Sequence, residues 1–188
     1  MSMNDAGRFE PASIEDWHDW LAANHLQGAG VWVVVPRRAS THLTYDQLIR
    51  EALCWGWIDG QSRPLDEARS LLWFTHRKPS SPWAASNKAR VADLEAEGRL
   101  QPEGRAEIER AKADGRWTMF DSVEALEEPA ELAAALDAVP AARDTWDAYP
   151  PGVRKMALGS IALAKRAETR TARVARIVER AARGERPA

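Results

Sequence analysis

Residues 31–35 read Val-Trp-Val-Val-Val and stop at Pro36, a β-branched and aromatic run with no polar side chain in it. Such residues favour extended backbone, and a run that never alternates with polar residues predicts a buried strand, closed by a proline that cannot donate to a ladder. Trp57 to Gln61, bracketed by Gly56 and Gly60, predicts a second strand running into a turn. Leu71 to His76 predicts a third. Three strands separated by a helix and a loop are too few for a doubly wound sheet, so the expectation is an α+β fold with a small, mainly antiparallel three-stranded sheet and flanking helices.

Helix signals surround these strands. Ser13 and Asp16 form an N-cap with an acid in the first turn, and Ile14, Trp17 and Leu21 fall on one stripe, which predicts a helix over 14–24. Thr44 and Gln47 fit a capping box opening a helix over 45–55. Beyond residue 80 the pattern is helical throughout. Ser81-Pro82 predicts a start, Gly98 a stop, Pro102 a second start and Gly115 a second stop, together a helical hairpin. Pro129, Pro140, Pro150 and Pro151 punctuate an Ala-rich stretch with short helices expected near 130–138 and 141–148. Residues 152–183 predict two helices broken near 167–169, the last with Val174, Ile177, Val178 and Ala181 on one face. The expected organisation is an α+β core with its hairpin over 1–117 and an all-helical C-terminal lobe over 118–188 packed on it as one structural unit.

Composition narrows the function classes. The single Cys54 excludes an intramolecular disulfide, and between Leu53 and Trp55 it reads as buried filler rather than a nucleophile. His18, His25, His42 and His76 lack ligand spacing, and the sequence holds no G-x-S-x-G, Walker A, G-x-G-x-x-G or H-E-x-x-H motif, so neither a metal nor a cofactor is expected. The longest membrane-span candidate, Leu26 to Val35, falls well short of the roughly 18 residues a span requires. Met1 to Phe9 lacks a signal-peptide apolar region, and the expected location is cytoplasmic. Two asymmetries remain. Nine of the 14 aromatics are Trp, and no aromatic lies beyond Tyr149. Residues 152–188 carry ten Lys/Arg against three Glu, net +7, which leaves −9 for residues 1–151.

The chemistry concentrates in residues 55–87. In a strand Trp57 and Asp59 share a face, and a carboxylate beside an indole needs a partner, for which Arg63 and Arg77 are the natural candidates. Either this is a clamp that fixes the turn or it is a polar cluster that meets a ligand. Asn87 occupies the Val91/Leu94 stripe where an apolar residue belongs, so it either bonds a neighbouring loop or points into a pocket. Most of the indoles are expected in the core, with one or two, such as Trp57 or Trp83, lining a cleft beside Asp59.

Several ordered blocks resemble the YdeI/OmpD-associated family, also called the bacteriocin-protection family. They are Glu51 to Gly60, Phe74-Thr75-His76-Arg77 with Ser81, Trp83 and Asn87, Gly98-Arg99-Leu100, Ala111-Lys112 to Trp117, and Ala164 to Arg170. The likeness covers about 14–117 and 153–181, with 118–150 weakly matched. His76 stands where the family usually has proline and Ala84 where it has serine, which loosens the backbone before Arg77 and adds a titratable ring. The resemblance implies a stress or antimicrobial-resistance role without an established reaction.

Three functions are therefore weighed. The first is a cytoplasmic protein that binds a small molecule or peptide in a Trp-lined cleft formed by Trp57, Asp59, Arg63, His76, Arg77, Trp83 and Asn87, with Lys165 and Arg170 contributing. The second is an enzyme using Asp59 or His76 as general base there. The third is a nucleic-acid or partner-binding module using the basic C-terminal helix, disfavoured because that helix has no aromatic to stack on bases and an apolar face that needs a partner of its own. That face is expected to dock on the acidic N-terminal body.

Overall fold

The run at Val31–Pro36 is the strand β2 of the structure, a computed structural model that describes residues 6–37 and 43–187. On one side of it lies β1 (Arg8–Phe9), parallel; on the other lies β4 (Arg69–His76), antiparallel, with β3 (Trp57–Pro64) beyond it. The order β1-β2-β4-β3 makes a four-stranded mixed sheet in an α+β fold, one strand more than the sequence predicts. Two residues are too short to show a period of two, so β1 exists only through its tertiary pairing, in which the Trp32 N–H donates to the Gly7 carbonyl at 3.0 Å. Among the described residues no strand follows His76.

The chain divides into two compact units, residues 1–81 with 86–117, and residues 82–85 with 118–188. In the first unit α1 (Ile14–Asn24) and α2 (Tyr45–Cys54) start as the caps predict, with the Asp16 N–H donating to Ser13 Oγ and the Thr44/Gln47 box closed in both directions. Strand register places Val31, Val33, Leu72, Phe74 and Trp57 on one face, and all are buried. Trp17 of α1 meets Phe74 at 5.1 Å between ring centroids, and its Nε1–H donates to the Leu48 carbonyl at 3.1 Å. Trp57 Nε1–H likewise donates to the His25 carbonyl. Both indoles thus bury their rings without stranding the N–H, and each such burial contributes roughly 2–3 kcal/mol.

The opposite face carries Trp32, Val34, Leu71 and Trp73, a separate buried cluster to which no helix of the described residues contributes. Backbone closes over it instead. A Cβ at Gly30 would lie 2.2 Å from Trp73 Cζ2 and 2.5 Å from the Phe74 carbonyl oxygen, so only glycine permits the approach.

One helix start differs from the expectation. The helix α3 (Ala85–Ala96) begins three residues after Pro82, because residues 82–85 belong with the second unit and Trp83, only 2% exposed, is buried before the helix starts. The helix α4 (Pro102–Ala113) packs on α2, where a Cβ at Gly104 would fall 2.3 Å from the Cys54 carbonyl oxygen.

The second unit contains α5 (Asp121–Glu124), α6 (Ala130–Asp137), α7 (Pro140–Asp147), α8 (Pro151–Ala162) and α9 (Ala167–Ala182). The single turn α5 carries too few residues to show a helical period. The break between α8 and α9 falls at 163–166, upstream of the expected 167–169. Val174, Ile177, Val178 and Ala181 of α9 are buried with Leu132, Leu136, Trp146, Leu158 and Ile161. The apolar face of the last helix is therefore covered by α6, α7 and α8 of its own unit, where the sequence suggested the N-terminal body. Charge follows the same division. Residues 118–188 hold eleven Lys/Arg and eleven Asp/Glu, so the basic tail is neutralised by the acids of 121–147.

Glu128 is the centre of that neutralisation. Its carboxylate accepts from Arg143 Nη2 at 2.9 Å, Trp146 Nε1 at 2.7 Å and Arg154 Nη2 at 3.2 Å. Burial alone would raise its pKa, but the bonds from Arg143 and Trp146 and the charges of Arg143 and Arg154 outweigh it and hold it below the ordinary value. A depressed carboxylate stabilises fully above its unfolded pKa of 4.5 and loses that contribution as pH falls through the folded value. Glu128→Gln should cost about 2 kcal/mol at pH 7, because two partly buried guanidinium groups lose their shared anion. Urea unfolding followed from pH 7 to pH 3 should show the variant losing less stability on acidification than the parent chain.

Candidate functional site

The residues expected to form the cleft divide among several environments. Trp57 is fully buried in the core beneath α1 and α2. Asp59 stands opposite Phe74 and shares the face of Trp57 as expected, but its carboxylate accepts from the Tyr45 hydroxyl at 2.6 Å instead of from an arginine. Burial, and then the bond to Asp59, push the Tyr45 pKa up to about 12.

Arg63 is on the other face, with Cζ 4.2 Å from the centre of the Trp32 ring. A β-bulge between Asp59 and Ser62 shifts the register, so Arg63 stands opposite Leu71 and its parity relative to Asp59 is reversed. Arg77 is 5% exposed and its pKa is pushed down to about 10, by burial first; Glu107 opposes that shift most, Arg110 adds to it and Asp59 opposes it weakly. The backbone N–H of Arg77 donates to the Gly56 carbonyl, which places it at the foot of the sheet beside α4.

His76 packs its ring 4.9 Å from that of Trp57. Among the described residues it shares no hydrogen bond with Asp59. Asn87 accepts from Arg90 Nη1 at 3.1 Å, and Arg90 Nε donates to Asp46 Oδ1 at 2.8 Å, a surface relay joining α2 to α3. The neighbouring-loop alternative for Asn87 is replaced by this contact within α3. Trp83, Lys165 and Arg170 belong to the second unit, where Arg170 pairs with Glu131 and Lys165 is exposed.

A different indole meets open space. Trp73 lines a cavity of about 370 Å³ in the first unit, walled by Gly28, Ala29 and Gly30 ahead of β2 and by Gly60 and Gln61 at the bulge of β3. Thr75, two residues along β4 and so on the same face as Trp73, and Lys78 beyond the strand complete its polar rim. The glycines divide in role. A Cβ at Gly60 would sit 3.1 Å from Trp73 Cδ1, whereas one at Gly28 would meet nothing within 4 Å. Sequence reasoning used Gly28, Gly30 and Gly60 only as breaks in the chain. Their common feature, leaving backbone bare around one tryptophan, depends on register and bulge.

Glu51 was also missed. It is 3% exposed, and its two oxygens are divided between His18 Nδ1 at 2.7 Å and Arg99 Nη2 at 2.6 Å. Arg99 and Arg50 share Glu97, and Arg50 reaches Asp93, so the network ties α1, α2 and α3 together. Cys54 donates to the Arg50 carbonyl, and burial pushes its thiol up to about 12, which leaves no thiolate for nucleophilic chemistry near neutrality.

An α+β unit with a glycine-walled cavity, followed by a charge-neutral helical unit, defines the architecture. Residues 9–107 match the family model described as "Domain of unknown function (DUF8412)", and the chain belongs to that family. Residues 125–184 match the model described as "Bacteriocin-protection, YdeI or OmpD-Associated". That span includes much of the stretch expected to match weakly, and of the blocks that carried the resemblance only Ala164 to Arg170 lies in it. Neither the curated proteins nor the solved structures give a match.

The Tyr45–Asp59 bond gives a measurable signature. A tyrosine with a raised pKa stabilises fully below its unfolded value near 10 and loses that contribution as pH rises towards 12. Asp59→Asn should lower the Tyr45 pKa in an ultraviolet pH titration. It should change stability by less than about 1 kcal/mol at pH 7, because the pair is exposed and the amide still offers an acceptor.

Proposed function

We propose that this chain is a YdeI/OmpD-associated-like protein that binds a small molecule, or a small group of a peptide, in the Trp73 cavity without turning it over. It would serve in the cytoplasm as a stress or antimicrobial-resistance factor. The observation that carries this reading is the cavity itself: its volume lies in the range of small-molecule sites, and an indole forms one wall where the approaching backbone has no side chains. Its polar groups are the Gln61 amide, the Thr75 hydroxyl and the Lys78 ammonium. Among the described residues no carboxylate or imidazole lines it, so the described lining offers neither of the commonest general bases, which supports binding over turnover. The resistance role is supported by the bacteriocin-protection family matched over 125–184.

The test exploits Gly28. A Cβ there meets nothing within 4 Å, so Gly28→Leu should keep the parent melting temperature to within about 2 °C while adding bulk at the cavity wall. Compounds from a metabolite and peptide thermal-shift screen that stabilise the parent chain should not stabilise the variant, since only binding to the native state raises stability. Hits that stabilise both proteins equally would reject the cavity as the site. Protection by the parent chain but not by Gly28→Leu, in cells challenged with an antimicrobial peptide, would connect the cavity to resistance.

A further inference from the structure

Resting on the reading that the Trp73 cavity is the binding site, we infer that it takes an oxyanion, a carboxylate or phosphate group, attached to a flat apolar body. Among the described residues Lys78 supplies the only formal charge in the lining. It is exposed at the end of β4, and among the described residues no ion pair engages it. Among the described residues no carboxylate therefore competes with a ligand for that ammonium, in contrast to Arg50, Arg69, Arg90 and Arg99, each held by a carboxylate.

The backbone on the same wall points to the same chemistry. Gly28 and Ala29 line the cavity, and among the described residues no hydrogen bond engages either backbone N–H, although the Gln27 N–H just before them donates to Asn24. Successive main-chain N–H groups without acceptors, on a segment bare of large side chains, are donors available to an anion. Thr75 and Gln61 add neutral donors. Trp73 then has the remaining task. Its ring face or edge receives the apolar body of the ligand, and offset stacking rewards a flat one.

The experiment is a titration of the full ¹⁵N-labelled chain with four probes, read at the Gly28 and Ala29 amides and the Trp73 indole. Benzoate and phenyl phosphate carry the two oxyanions on one flat ring, benzamide is the neutral counterpart of benzoate, and inorganic phosphate lacks the ring. The expected result is perturbation of all three signals by benzoate or phenyl phosphate, with whichever binds more tightly identifying the head group. Benzamide should bind at least tenfold more weakly than benzoate, and inorganic phosphate more weakly than phenyl phosphate. Lys78→Gln should weaken oxyanion binding at least tenfold and leave benzamide unchanged. Equal binding of benzoate and benzamide, with no effect of Lys78→Gln, would overturn the oxyanion assignment while the cavity stands. The assignment alone also falls if no probe perturbs Trp73 while screening hits remain sensitive to Gly28→Leu. If those hits are insensitive to Gly28→Leu, the cavity reading falls as well.

Discussion

In the first unit, β2 buries side chains on both of its faces, although helices cover only one. Val31 and Val33 pack beneath α1 and α2, while Trp32 and Val34 face a side where no helix of the described residues joins the cluster. An uncovered indole pair would expose apolar surface at a cost of several kcal/mol. The sheet meets this by turning its own backbone and loops over Trp32 and Trp73. Gly30 approaches Trp73 within what would be collision distance for any Cβ, the bulge in β3 brings Gly60 against the same ring, and Arg63 lays its guanidinium over Trp32. The cavity is a by-product of that covering. Glycine backbone packs over an indole less completely than side chains do, and the space left is where a ligand fits.

The second unit solves a different problem. Its helices α5 to α7 are short, four to eight residues, and helices of that length are not stable by propensity. They hold because α9 inserts a continuous apolar face among them, and because the partly buried Glu128 carboxylate receives three donors. Glu128 collects Arg143, Arg154 and Trp146, while Glu124 and Glu131 take Lys155 and Arg170. A tail that reads as strongly basic in isolation thus belongs to a unit with balanced charge.

The candidate site shows how one irregularity redirects a sequence argument. Alternation correctly places Asp59 beside Trp57, and simple continuation would carry Arg63 to the same face, within reach of the carboxylate. The bulge reverses that parity, so Asp59 takes the hydroxyl of Tyr45 and Arg63 takes an aromatic ring on the far side. Asn87 was legible as an anomaly in an apolar stripe. Its partner was not, because Arg90 lies one turn along the same helix and is itself held by Asp46 of α2. Glu51 and Arg99 both lay in quoted blocks, yet their pairing across 48 residues of chain has no local signature.

What the sequence determined by itself was local. The Ser13 cap, the capping box of α2, the strand from Val31, the glycine stops at Gly98 and Gly115 with φ of +67° and +78°, and the apolar face of α9 all follow from interactions within a few residues. These depend on backbone sterics and side-chain periodicity, which act at short range. Tertiary structure decided what those elements meet. It recruited Arg8–Phe9 as a fourth strand, gave the last helix α6 to α8 as its cover, and gathered three glycines from separate segments around Trp73. The physical reason is that pairing, register and close approach are settled by burial and hydrogen-bond satisfaction summed over the whole unit. No window of the sequence contains both members of such a contact.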